Sequence, residues 1–240
     1  MQEWTIKSLF QLKTFEEYIK NNQDKTVKVG LTDKKDILDR FEIVKRITRK
    51  KLKMTLNYAI CNHYNKNDKI LLENFLDFYK NCLKFEFIKE ILIISGSSQR
   101  KKGTNFLLSE LANSNFKTET KLSLAVAYNP FLNDLDLEIE QQKLDKKLST
   151  KLVQTVYFQL GDNTQKLIKG IKFLRQNYKN QKIIISILKP NEQKLASLRF
   201  RPWKGVFYSQ KFLNNFEFAK QKTAELEQIA KSLKVGIIWS

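Results

Sequence analysis

The sequence predicts an α/β fold, a single (β/α)8 TIM barrel over residues 1–240 with a degenerate first strand. Three observations carry that expectation. Short, β-branched and near-continuously apolar runs recur along the chain, as expected of strands covered on both faces. Amphipathic stretches with apolar residues three or four apart separate them. The 240 residues also approach the roughly 250 that eight strand–helix units occupy. Strand–helix–strand at this spacing implies parallel strands joined by right-handed crossovers. The competing arrangement is an open doubly wound sheet.

Taken in order, Val27–Leu31 is the first clear strand, followed by Asp33–Arg49, a helix with Ile37, Leu38, Phe41, Val44 and Ile47 on one stripe. Met54–Ile60 is the next strand, and Lys69–Leu83 the next helix, with Leu72, Phe75, Leu76 and Tyr79 inward. Ile91–Ile94 then leads through a polar loop to Asn105–Asn113, opened by Thr104 after Gly103. Leu122–Ala127, helix Leu135–Leu148, Leu152–Gln159 and helix Thr164–Tyr178, capped by Asn163, continue the alternation. Ile183–Leu188, helix Phe216–Leu233 after Asn214-Asn215, and Val235–Trp239 complete it. The eighth strand of a barrel is either Glu3–Ile6 or Gly205–Tyr208. No linker, composition break or repeat divides the chain, so one domain is expected.

Composition narrows the function classes. Hydrophobic residues make up 42% of the chain, too many for a disordered polymer. No apolar run approaches the roughly 18 residues of a membrane-spanning helix. Two cysteines and one histidine cannot supply a four-ligand zinc site, and no disulfide framework is expected. Residues 1–22 lack an uninterrupted apolar signal core, and their Glu3, Glu16 and Glu17 are unlike an acid-poor transit peptide. The charge is the outlier: 44 Lys and Arg against 25 Asp and Glu leave a net +19, a field that attracts nucleic acid, anionic lipid, phosphorylated cofactors or an acidic partner. Only 7 of the cations are Arg, the residue that reads phosphates and guanines in pairs.

In a parallel α/β fold, ligands meet the C-terminal ends of the strands. After Ile91–Ile94 comes Ser95-Gly96-Ser97-Ser98-Gln99-Arg100-Lys101-Lys102-Gly103, whose glycines, hydroxyls and cations suit an anion cradle. Tyr128-Asn129-Pro130-Phe131 places an aromatic and an amide at a strand end. Gln159-Leu160-Gly161-Asp162 ends another strand, and an amide at a barrel mouth needs partners. Cys61 and His63 lack an orienting third group for nucleophilic catalysis. The phrase Arg199-Phe200-Arg201-Pro202-Trp203-Lys204-Gly205 concentrates cations around an indole and suits an anionic tail or a partner surface; its plainer reading is a covering loop.

From about Met54 to Ser240, these strand ends resemble the methylenetetrahydrofolate reductase family, flavin enzymes built on a TIM barrel. The segments that carry the likeness are ILIISGS (Ile91–Ser97), SLAVAYNP (Ser123–Pro130) and QKLDKKLSTKLVQTVYFQLGD (Gln142–Asp162). The resemblance implies FAD held by Gly96, Ser97, Tyr128, Asn129 and Lys147, and folate held by Gln159. It places the catalytic glutamate on the first strand, where this chain offers Glu3. The chain departs from the pattern in having Ser97 where the family has Asp, and in lacking the aromatics and prolines that follow the family's glutamate. A folate reductase needs a general acid and a polar partner for the flavin ring, and these departures touch both.

Three readings follow. The first is a divergent reductase that passes hydride from a nicotinamide cofactor through flavin to methylenetetrahydrofolate. The second is a catalytically inactive barrel, an accessory subunit of a large mitochondrial assembly such as a respiratory complex or ribosome. The third is a basic nucleic-acid-binding protein. The basic charge favours a mitochondrial location over a cytoplasmic one.

Overall fold

β-Branched residues bury well on a pleated surface, and in the computed structural model each apolar run is a strand. The structure describes residues 2–6, 15, 17–18, 27–31, 53–63, 68–95, 103–114, 116–117 and 121–240. The strands are β1 (Gln2–Ile6), β2 (Val27–Leu31), β3 (Met54–Ala59), β4 (Ile88–Ile94), β5 (Ser123–Tyr128), β6 (Val153–Phe158), β7 (Lys182–Ile187) and β8 (Gly236–Trp239). The helices are α1 (Ile60–His63), α2 (Asp68–Leu83), α3 (Thr104–Asn113), α4 (Asp134–Ser149), α5 (Thr164–Asn177), α6 (Glu192–Phe200), α7 (Gln210–Asn214) and α8 (Phe216–Ser232). The chain forms two compact units, Met1–Ala125 and Val126–Ser240, and the division falls inside β5.

In the first unit β1, β2, β3 and β4 pair in parallel in sequence order. Of the two candidates for an eighth strand, Glu3–Ile6 is the one that forms a strand, extended by Gln2. The register sets Glu3 against Lys28. Between Met54 and Thr55 the β3–β4 register shifts, so that Thr55 faces Glu90. Helix α2 covers this sheet with an aromatic layer. The Tyr58 ring meets Phe75 edge-on at 5.1 Å and Phe78 at 5.0 Å, while Tyr79 meets Phe116 at 4.9 Å. The Tyr79 hydroxyl donates to the Leu122 carbonyl at 3.2 Å. Edge-to-face pairs of this kind contribute about 1 kcal/mol each beyond their buried area. The helix expected over Asp33–Arg49 lies outside the described residues.

In the second unit β6, β7 and β8 pair in parallel, again in sequence order. All but one or two residues of β5, β6 and β7 are buried, as strands covered on both faces require. The expected caps form: Asn163 accepts from the Lys166 amide and Asn215 from the Phe218 amide. Helix α6 answers no sequence expectation. Only Leu195 and Leu198 of its nine residues are buried, too few for a helical period to show. The sequence signal that does mark it is Pro190 followed by Asn191, whose side chain caps the helix by accepting from the Lys194 amide. With α7 it covers a small core of Leu160, Leu188, Leu195, Leu198, Phe212 and Ala219.

Candidate functional site: the strand ends of the second unit

Pro130 ends β5 by removing the next ladder donor, and the chain turns through Asn129. The Asn129 side-chain oxygen accepts from the Phe131 amide at 3.1 Å, and its side-chain nitrogen donates to the Gly205 carbonyl at 3.0 Å. Next to it, the Gln159 amide at the end of β6 donates to the Tyr128 carbonyl at 2.9 Å. Asn129 and Gln159 thus lie at the same end of adjoining chain segments, as their sequence positions predict.

The next residues of the β6 strand end receive a visiting segment, residues 203–209. The Phe207 amide donates to the Leu160 carbonyl and the Asp162 amide donates to the Phe207 carbonyl, each at 3.2 Å, forming a single parallel bridge between Gly161 and Phe207. The second strand candidate, Gly205–Tyr208, is therefore one bridge and not a strand. Asp162 is buried, and its carboxylate accepts from both the amide and the hydroxyl of Ser209. Two glycines make this approach feasible. Gly205 has φ +82, a backbone that side chains with Cβ disfavour. At Gly161 a Cβ would come within 2.5 Å of the Phe131 ring. The Tyr208 ring stacks on Phe212 at 4.4 Å. Its hydroxyl is buried without a hydrogen-bond partner among the described residues, and burial, with the nearby Asp162, raises its pKa.

The other predicted residues are distributed differently. Tyr128 is fully buried. Its ring packs against Phe158 of β6 at 5.2 Å and Phe173 of α5 at 6.3 Å, so it belongs to the layer between strands and helices. Burial raises its pKa; Gln141 opposes the shift, and the carboxylates of Glu140 and Asp145 add to it. Lys147 is also buried. Its ammonium donates to the Ala127 carbonyl at 3.2 Å, and burial lowers its pKa against the opposing pull of Glu140. Gln159 is half-buried, and its side-chain amide makes no hydrogen bond among the described residues. Glu3 stands one residue from the start of β1, in the half of the strand away from its C-terminal end. Gly96 and Ser97 lie outside the described residues. On either side of them in sequence, the Ser95 hydroxyl is 3.1 Å from the Thr104 hydroxyl and accepts from the Thr104 amide at 3.2 Å. The helix cap there is Gly103, with Thr104 the first helical residue.

Two polar features were not anticipated from sequence. One is the Asp162–Ser209 pair, which no local spacing could show. The other is Glu90, a buried carboxylate that accepts from Thr55 at 3.5 Å and Ser123 at 3.4 Å. Its signal was present as the one acid in the strand IKEILII. Glu90 lies in the N-terminal half of its strand, the end where polar residues of such folds serve stability. No group of three or more potential metal ligands occurs among the described residues.

No protein-family model matches this chain, and no curated protein does. Solved structures do. A fungal β-1,4-galactanase aligns at TM-score 0.60 with 11% identity, covering 94% of this chain and 80% of that one. Active domain 2 of a chitinase from Pyrococcus furiosus aligns at TM-score 0.51 with 12% identity, covering 93% and 76%. At such identity the likeness concerns the fold alone, and the fold these structures share with this chain is α/β and TIM-barrel-like.

Proposed function

We propose that the chain closes its eight strands into one barrel that has set aside the reductase chemistry its sequence resembles, and that it works as an accessory subunit of a large mitochondrial assembly. The parallel pairing of β1 to β4 and of β6 to β8 in sequence order supports closure. The observation that carries the retirement of the site is Asn129. Both ends of its amide hold the chain's own backbone, which orients the side chain toward Gly205 and Phe131 and not toward a flavin ring. Lys147 agrees with it, since an ammonium bonded to Ala127 in the interior is not placed to meet a cofactor phosphate. A net charge of +19 suits docking onto an acidic or RNA-rich partner.

Two observations favour the reductase reading instead. The side-chain amide of Gln159, at the β6 end, makes no hydrogen bond among the described residues, and the first strand that would bring Glu3 does form. Under that reading FAD accepts hydride from a nicotinamide cofactor and passes it to folate, with Gln159 holding the folate. Incubation with FAD followed by gel filtration separates the two. The accessory reading expects protein that elutes without flavin absorbance and, in cell fractions, migrates with a large complex. Retained flavin would overturn it, and Gln159→Ala should then reduce folate turnover more than flavin retention.

A further inference from the structure

The turn after α6 displays apolar surface that the fold does not cover. Phe200 is 93% exposed, Trp203 43% and Phe207 37%. Arg199, Arg201 and Lys204 are interleaved with them and exposed as well. From Lys189 to Lys211 the chain carries six cations and one acid, Glu192. The turn is firmly held: the Arg201 amide donates to Ser197 at 2.8 Å, the Val206 amide to Trp203 at 3.2 Å, and residues 205–209 are tied to Asn129 and the β6 end. Beside it lies a groove of about 480 Å³ whose apolar wall is Leu195, Ala196, Leu213 and Phe216 and which Arg199 also lines.

We propose that this turn docks the protein onto an anionic lipid bilayer. A nearly naked Phe ring gains most where it is surrounded on all sides by apolar material, which an acyl boundary provides. Base stacking by single-stranded nucleic acid would cover only ring faces. The two guanidiniums bracketing Phe200 in sequence can reach the phosphate level while their stems stay in apolar surroundings, and Trp203 suits the headgroup layer. No helix among the described residues is long and apolar enough to cross a membrane. This inference is independent of whether the barrel binds flavin, which the absorbance experiment reads separately.

Co-sedimentation of the full chain with phosphatidylcholine vesicles, with and without phosphatidylserine, tests it. Binding should require phosphatidylserine and weaken with salt. Arg199→Gln with Arg201→Gln should lower affinity roughly thirty-fold, the product of two cations near an anionic surface. Lys179→Gln with Lys182→Gln, exposed cations at the start of β7, away from the β6 end that the turn meets, should change it less than about threefold. Phe200→Ala should cost about tenfold with an unchanged melting temperature, since the ring touches almost nothing. Trp203 should supply a blue shift in emission that Trp203→Phe removes. Equal losses from the two cation pairs, an unaffected Phe200→Ala, or binding to poly(U) but not to vesicles would each overturn the proposal.

Discussion

Lys147 shows how one buried charge reports on the whole site. Its ammonium sits in the interior against a β5 carbonyl, where desolvation disfavours the charged form. Because its folded pKa lies below 10.5, the unfolded chain binds more protons in the window between the two values. Stability therefore rises with pH across that window, and the cost of the charge is greatest below it. Lys147→Met should accordingly be neutral or stabilising by up to about 1 kcal/mol at neutral pH. Thermal melts should show that advantage fading as pH approaches 10.5. The resemblance implies a cofactor lysine at this position, and spacing along a helix does not reveal which neighbour a side chain meets. Asn129 carries the same lesson: its place at a strand end was legible, but its partner Gly205 lies 76 residues away.

Among the elements, the helices were legible where the apolar period was long. Helices α2, α4, α5 and α8 each span at least fourteen residues and follow their expected ranges to within a residue or two. Helices α6 and α7, with nine and five residues, are held by tertiary contacts to a local core. Ser209 is the joint between these scales. Its hydroxyl accepts from the Phe212 amide at the start of α7 and donates to the buried Asp162. Ser209→Ala should cost about 2–3 kcal/mol in urea unfolding, since it removes a cap and a bond to a carboxylate. Asn163→Ala, which removes only the cap on Lys166, should cost about 1 kcal/mol. Equal losses from the two would mean that the 203–209 segment is not anchored through Asp162.

Across the molecule, +19 of net charge means that folded chains repel themselves. The ion pairs along α8, such as Lys220 with Glu217 and Lys231 with Glu227, join residues three or four apart and are exposed or half-exposed, and pairs of this kind contribute little. Moderate salt should therefore raise the melting temperature from its low-salt value, because screening relieves long-range repulsion more than it weakens these pairs. A fall in melting temperature on adding salt would mean that attractive pairs dominate instead.

The sequence by itself determined the alternation of parallel strands and helices, because periods of two and 3.6 are properties of the local chain. It also determined that polar residues such as Asn129, Gln159 and Asp162 end those strands. Only the tertiary structure decided what those residues touch. Segment 203–209 returns to the end of β6 and takes up the side-chain amide of Asn129 and the carboxylate of Asp162, while the side-chain amide of Gln159 meets no hydrogen-bond partner among the described residues. Hydrogen-bond partners that far apart in sequence leave no trace in local periodicity, since they are chosen by packing after the strands are in place.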